Sequence, residues 1–398
     1  MRVISIDKPE AIKLELEKIG VDDRAFSIFA GKSQVLALKL YDLSCAQANV
    51  MKQLALSAGC DCAIHRDVIK GEKKISDAIL FGTRRQLEAI MEKMSLQMFL
   101  NQPLAEIRTG LALYEGRPAL RLAGKTCEMD RTRVMGVLNL TPDSFYRASW
   151  YGEPGAIVEA ALKMEEAGAD FIDLGAESTR PGSDTISAED ETTRLRPVLS
   201  RVVDKVRLPV SVDTYKSEVA RFAIDNGAAI INDISALGFD QRMGDVIAKS
   251  DVGLVLMHIK GQPKSMQDNP AYDNLMEELH QYFQQKIQRA EEYGIEQARL
   301  IVDPGLGFGK RLEDNYTIIR RLKELKVFNR PILVGPSRKS FVGIPFGLPP
   351  EERLEGTLAL LAILIEQGCN IIRVHDVLQA KRVSQLVDLV MNGNDGKG

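Results

Sequence analysis

Residues 299–310 read RLIVDPGLGFGK: a run from Arg299 to Pro304, apolar from Leu300 to Val302 and then broken by an acid, Asp303, hands over to a glycine-rich turn. An apolar run without polar alternation suits a strand covered on both faces, as a parallel strand between helical layers is. Seven more runs of this build lie around it: Val134–Asn139, Asp170–Gly175, Leu208–Asp213, Ala228–Asp233, Gly253–His258, Pro331–Gly335 and Cys369–Asp376. Longer segments with apolar residues three and four apart, the helical period, separate them. The runs start 20 to 46 residues apart, and eight strand-and-crossover units in about 265 residues predict a (β/α)8 TIM barrel rather than an open doubly wound sheet.

Polar side chains gather at or just past the C-terminal ends of these runs: Asn139, Glu177, Asp213, Asn232, His258, Asp303, Lys339, Arg373 and His375. In a barrel those ends converge on one mouth, where a site is expected. Singly, each is also explained as a polar residue ending a strand.

The types of residue suggest what the mouth holds. Asp213 and Asp303, each closing an apolar strand, must be paired or must accept ligand hydrogen bonds, because a desolvated carboxylate is costly. With Asn232 and Lys339 they match the donor and acceptor edges of a flat heterocycle; the alternative is a structural salt bridge inside the barrel. The run Gly305 to Lys310 lacks the spacing and the Ser or Thr after lysine of a nucleotide-phosphate loop, so its glycines are read as a tight turn that sets Phe308 against a ligand. Ser337-Arg338-Lys339-Ser340 precedes a helical segment and offers amides, hydroxyls and cations to an anion, although serine capping explains part of it. Arg373 and His375, two apart on the last strand, both point inward and add anion donors. Asn139 to Phe145 and Glu177 to Gly182 have loop composition and either close over substrate or serve as turns.

Residues 1–113 read as a separate small α/β domain, and 114–398 as the barrel with an N-terminal β-hairpin around Ala123-Gly124-Lys125. In the first domain strands are expected at Val3–Ile6, Gln34–Leu40 and Ile75–Phe81, and helices at Glu10–Ile19, Ala46–Ala58 and Arg84–Met94. A net charge of -3, with no Lys/Arg stripe, argues against nucleic acid or an anionic membrane as partner. The N-terminal residues lack the apolar core of a signal peptide and charges interrupt every apolar stretch, so a cytoplasmic protein is expected. Five scattered cysteines fit a reducing compartment, and Cys60, Cys62 and His65 lack a second ligand pair at metal-finger spacing.

Over residues 117–390 the chain resembles the dihydropteroate synthase family. The resemblance is carried in order by Met135-Gly-Val-Leu-Asn-Leu-Thr-Pro-Asp-Ser-Phe145, Gly175-Ala-Glu-Ser-Thr-Arg-Pro-Gly182, Ser211-Val-Asp-Thr214, Ile231-Asn-Asp233, Leu256-Met-His258, Asp303-Pro-Gly305, Ser337-Arg-Lys-Ser340 and Arg373-Val-His-Asp376. It implies condensation of 6-hydroxymethyl-7,8-dihydropterin pyrophosphate with p-aminobenzoate to dihydropteroate and pyrophosphate in folate synthesis, a target of sulfonamides. It further implies that Asp213, Asn232, Asp303 and Lys339 bond the pterin, that Met257, Phe308 and Arg373 pack on its ring, and that Asn139, Arg373 and His375 hold the pyrophosphate. Mg2+ would be shared between Asn139 and the phosphates; Phe145, Thr179, Arg180, Pro181 and Ser340 would form the p-aminobenzoate pocket; and the protein would be a homodimer. On this reading the catalytic set is Asn139, Lys339, Arg373 and His375. The family usually continues its first loop Ser-Asp-Gly-Gly where this chain has Tyr146-Arg147-Ala148-Ser149, so Arg147 stands where an acid is usual and either changes how the loop closes or suits a more anionic, phosphorylated ribosyl arylamine. Rival readings are a methyltetrahydrofolate:corrinoid methyltransferase, which needs neither pyrophosphate site nor arylamine pocket, and a non-catalytic pterin-binding protein. The first domain resembles the extension of longer family members; its residues imply no specific role beyond oligomerisation or regulation.

Overall fold

The computed structural model describes residues 1, 2, 4, 11–22, 24, 26–140, 154–179 and 182–392. They form two compact units, Met1–Leu113 and Tyr114–Gly398.

In the first unit β1 (Val35–Ser44), β2 (Asp61–Ile64) and β3 (Ile75–Thr83) make an antiparallel sheet in the order β1-β3-β2. Along β3, Ser76, Ala78 and Leu80 are buried while Ile75, Ile79 and Phe81 face outward, the period of two of a strand covered on one face. The covering helices, Cys45–Ser57 and Arg84–Ser95, present Ala48, Met51 and Ala55 and Leu87, Ile90, Met91 and Met94. Each helix starts directly at a strand end on a capping box, Ser44 with Gln47 and Thr83 with Gln86, which satisfies amides the first turn leaves open. Three elements, besides a 3-10 turn at Met98–Leu100, escaped the sequence reading, one of them the five-residue helix Phe26–Ala30. Strand β2 has only four residues, too few for periodicity, and the helix Asn101–Glu115 carries Pro103, which is tolerated in a first turn but reads as a breaker. Of the expected strand at residues 3–6, only Ile4 lies among the described residues, and it belongs to no strand.

The second unit opens with the expected hairpin, β4 (Ala119–Leu122) and β5 (Lys125–Glu128). Ala123 and Gly124 both take positive φ, 45° and 74°, the backbone of a two-residue hairpin turn. Eight parallel strands follow: β6 (Arg133–Asn139), β7 (Phe171–Gly175), β8 (Val210–Asp213), β9 (Ile230–Asp233), β10 (Gly253–Met257), β11 (Leu300–Asp303), β12 (Leu333–Val334) and β13 (Ile371–Val374). They pair in the order β11-β10-β9-β8-β7-β6-β13-β12, and a bridge from Val302 to Ile332 closes the ring. This is the barrel expected from the eight apolar runs.

Alternate residues on each strand point inward, so the interior is built in layers. The bottom layer is apolar, with Met135, Phe171, Ile230, Val255, Ile301, Leu333 and Ile371, and Leu120 and Leu122 of the hairpin pack against it. Outward residues such as Ile172, Leu174, Val212, Ile231 and Val302 join a separate cluster with the surrounding helices. The barrel is thus sealed at one end, and polar groups are confined to the other.

Candidate active site

Two residues above the bottom layer the chemistry changes. Phe171 gives way to Asp173, Ile230 to Asn232, Val255 to Met257, Ile301 to Asp303, Leu333 to Gly335 and Ile371 to Arg373. Strand register sets Asp173 beside Ser211 and Asp213 beside Asn232. A flat polar floor therefore follows from the pleat alone, at the strand ends where barrels place their chemistry.

Arg373 crosses this floor. Its Nε donates to Asp173 Oδ2 at 2.7 Å, and its Nη2 lies 2.6 Å from the same oxygen and 2.9 Å from Asp213 Oδ2. The salt bridge weighed from sequence thus exists, on a carboxylate at the C-terminal end of β8 that keeps some exposure. Burial pushes the Asp213 carboxyl up to about 7, opposed by Arg373 and reinforced by Asp173. Burial works against the Arg373 charge, but the two carboxylates beside it outweigh that and hold its pKa above the usual arginine value. Asn232 directs Nδ2 toward Asp173 Oδ2 at 3.4 Å, while its Oδ1 is buried without a protein partner, as are Asp173 Oδ1 and Ser211 Oγ. Buried polar atoms normally find partners, so an unpaired carbonyl oxygen at the strand ends of the barrel points to a ligand donor. Asp173 was missed in the sequence, although its inward position follows from counting by two from Phe171.

Opposite stands the glycine-rich turn. Asp303 accepts from the Gly305 amide at 2.7 Å, and burial raises its carboxyl. Gly305 has φ +64°, and a Cβ there would lie 2.1 Å from the His258 carbonyl oxygen, so only glycine lets the turn press onto the end of β10. The turn carries Phe308, which packs with Met257, Ile259 and Met266. Lys339 donates to the Leu306 carbonyl, and its amine is lowered to about 8, chiefly by burial. Lys310, a second residue missed in the sequence, is buried and contacts His258 Nδ1 at 2.9 Å and the Phe308 and His258 carbonyls at 3.0 and 3.3 Å.

Above the floor, His375 joins Asn139 to the loop after β12. Ser337 Oγ is 3.0 Å from His375 Nδ1, and Asn139 Nδ2 is 3.5 Å from His375 Nε2. That use of Nδ2 leaves the Asn139 amide oxygen as the group able to meet a cation.

Three expectations need correction. Arg338 is not an anion donor: it takes φ +53°, its guanidinium is bound bidentately by Asp376 at 2.8 and 3.0 Å, and it donates to the Pro350 and Glu351 carbonyls. Glu177 accepts from Lys216, Tyr215 and the Ile186 amide, which fixes the loop after β7. His258 is buried against Lys310 and Tyr282, and burial holds it neutral. Polar type at a strand end does not distinguish such internal partners from ligand groups.

Ser340 starts a four-residue helix and is exposed, and Thr179 is half-buried after β7. Phe145, Arg147 and the rest of the first loop, with Arg180 and Pro181, lie outside the described residues. Among the described residues no group of three or more His, Cys, Asp or Glu side chains is placed to hold a metal. No described helix is long and apolar enough to cross a membrane.

Comparison with known proteins agrees with this geometry. Residues 135–375 match the family of pterin-binding enzymes. The chain is 42% identical over 276 residues to the dihydropteroate synthase of Escherichia coli strain K12, covering 69% of this chain and 97% of that one. It is 33% identical over 374 residues to a bifunctional dihydropteroate synthase/dihydropteroate reductase of Helicobacter pylori, covering 93% of this chain and 94% of the relative. In structure it resembles the Yersinia pestis dihydropteroate synthase solved with a sulfonamide drug complex: TM-score 0.66, 39% identity, 69% of this chain and 99% of that one.

Proposed function

The chain belongs to the pterin-binding enzyme family as a dihydropteroate synthase, and we propose that the polar floor of its barrel is the pterin site of that reaction. The single observation that carries the assignment is the unpaired Oδ1 of buried Asn232, in register with the carboxylate of Asp213 on the next strand. A dihydropterin offers ring N–H and amino donors along one edge and a carbonyl on the other. Asn232, Asp213 and Asp303 accept from the first; Lys339 donates to the second. Met257 and Phe308 line the ring, and Arg373 covers it.

Asn139, Arg373 and His375 take the pyrophosphate, whose charge needs fixed donors as it departs. The single neutral amide oxygen of Asn139 fits Mg2+ held mainly by substrate phosphate oxygens, an ion that prefers oxygen and keeps waters. When bound, such an ion eases departure of the leaving group by neutralising its charge. The chain's own residues hold the pterin in line, shield the developing carbocation and leave its open face to the arylamine. Phe145, Thr179, Arg180, Pro181 and Ser340 form that second pocket, and Arg147 biases it toward an anionic arylamine. No protein nucleophile is required.

Incubation with dihydropterin pyrophosphate, Mg2+ and labelled p-aminobenzoate tests this assignment. Dihydropteroate and pyrophosphate are expected; tight pterin binding without either product would overturn the catalytic reading in favour of a pterin-binding protein. A phosphorylated ribosyl aniline run in parallel reads out Arg147.

A homodimer fits the exposed apolar residues Ile363, Leu386, Leu389 and Val390 on the helices Leu354–Glu366 and Val377–Asn392. The five cysteines stand as thiols, which fits a cytoplasmic site of action.

A second activity rests on the bifunctional relative, whose match to 93% of this chain must take in most of Met1–Leu113. The reading is that this chain also reduces dihydropteroate, a hydride and a proton adding across the remaining carbon–nitrogen double bond of the dihydropterin ring at the expense of a reduced nicotinamide or flavin. Oxidation of such a reductant on adding dihydropteroate is the expected result; none with either class removes the reading.

A further inference from the structure

Asp173 belongs to no substrate contact assigned above, yet it touches two of the residues that make them. It is fully buried on β7, one layer above Phe171. One of its oxygens receives Arg373 Nε at 2.7 Å, Arg373 Nη2 at 2.6 Å and Asn232 Nδ2 at 3.4 Å. Asp213, by contrast, holds Arg373 through a single contact at 2.9 Å.

We propose that Asp173 is a positioning residue that sets the hydrogen-bond polarity of the pterin floor, by fixing which atom of Asn232 faces the ligand and by keeping the Arg373 guanidinium in place when Asp213 turns to the pterin. The proposal rests on the pterin-site reading. An amide side chain is ambiguous until a neighbour claims one end. Asp173 accepts only, so it claims Nδ2, and Oδ1 is left as an acceptor toward the cavity. Arg373 is divided between two carboxylates, and a ligand that donates N–H groups to Asp213 competes for that carboxylate. Asp173 lies beneath, fully buried, and retains the guanidinium through two contacts to one oxygen. Without it, Arg373 would follow Asp213 and Asn232 would be free to turn over.

The test is a cycle of Asp173→Asn, Arg373→Gln and the double variant, in the full chain. Its readouts are the Kd of dihydropterin pyrophosphate, the KM of p-aminobenzoate and the melting temperature. In Asp173→Asn the pterin Kd is expected to rise about tenfold or more while the p-aminobenzoate KM stays within about twofold, since only the floor is disturbed. In the Arg373→Gln background the same change is expected to raise the Kd by a smaller factor than in the wild type, because the hold on Arg373 is already lost and only the hold on Asn232 remains. The double variant should also melt above Arg373→Gln, which leaves a buried carboxylate unpaired. Should Asp173→Asn fail to fold, the comparison of Arg373→Gln with the double variant decides alone. Pterin binding by Asp173→Asn equal to wild type, or losses that multiply in the double variant, would overturn the proposal. Failure of the wild type to bind pterin would instead overturn the site reading on which it rests.

Discussion

The Lys339 Nζ stands 4.2 Å from the centroid of the Phe308 ring while it donates to the carbonyl of Leu306 in the same turn. The lysine is thereby aimed across the floor by an aromatic face and a backbone carbonyl rather than by a carboxylate, and keeps N–H donors for a ligand. Its amine is lowered to about 8, first by burial, then opposed by Asp303 and lowered further by Arg373. A base so shifted is an ammonium below about 8 and loses its charge above. Pterin affinity should therefore fall as pH rises through about 8, and Lys339→Met should lose about tenfold or more in affinity together with that alkaline limb. Calorimetric titration with dihydropterin pyrophosphate between pH 6 and 9 measures both, and an unchanged limb in the variant would assign it to another group.

Asp213 sets the opposite limb. Its carboxyl is raised to about 7 by burial, so the carboxylate proposed to accept pterin N–H groups is depleted as pH falls below about 7. The sign for folding is reversed. A carboxyl whose folded pKa lies above its unfolded value favours the fold at low pH, and that contribution is lost as pH rises from about 4 through about 7. Asp213→Asn should then bind pterin poorly at every pH yet melt no lower than wild type at pH 8, with Arg373 still held by Asp173. A clear drop in melting temperature there would show that Asp213 is needed for the fold.

The glycine turn after β11 separates backbone from side-chain constraint. At Gly305 a Cβ meets the His258 carbonyl oxygen at 2.1 Å, whereas at Gly307 the nearest atom is Lys339 Cδ at 3.2 Å, part of a flexible chain. Both have positive φ. Gly305→Ala is expected to cost roughly 3 kcal/mol or more and to abolish pterin binding, while Gly307→Ala should cost about 1 kcal/mol, the strain of the backbone conformation. Denaturant melts and pterin titration of the two variants check the order, and equal losses would refute it.

These contrasts also mark what a single sequence can convey. The barrel was legible because its eight buried strands are apolar runs, and the mouth because a pleat of period two turns those runs into layers with polar ends. Register was not. Asp173 lies inside the run Asp170–Gly175, where an acid reads as an interruption, and only the neighbouring strands show that it faces Arg373. Arg338, Glu177 and His258 read as site residues for the converse reason: each sits at a strand end, but its partners, Asp376, Lys216 and Lys310, come from distant segments. In the first unit the capped helices were legible and the four-residue strand β2 was not, since a period cannot be read from two repeats.

The division into two units makes the last prediction. The first unit has its own core, Leu40 to Leu111, distinct from the clusters that pack the barrel. The Escherichia coli relative is covered almost end to end by 69% of this chain, so a barrel unit by itself is a workable length for a synthase. A chain of residues 116–398 starts after the helix Asn101–Glu115 and keeps the hairpin that seals the barrel. It should fold and retain kcat/KM for dihydropteroate formation within about threefold of the whole protein, because no floor residue comes from the removed part. If the reductase reading holds, the same truncation should abolish dihydropteroate-dependent oxidation of the reductant while synthesis continues. A truncated chain that folds but no longer makes dihydropteroate would mean that the first unit completes the synthase itself; one that retains both activities would move the reductase chemistry onto the barrel.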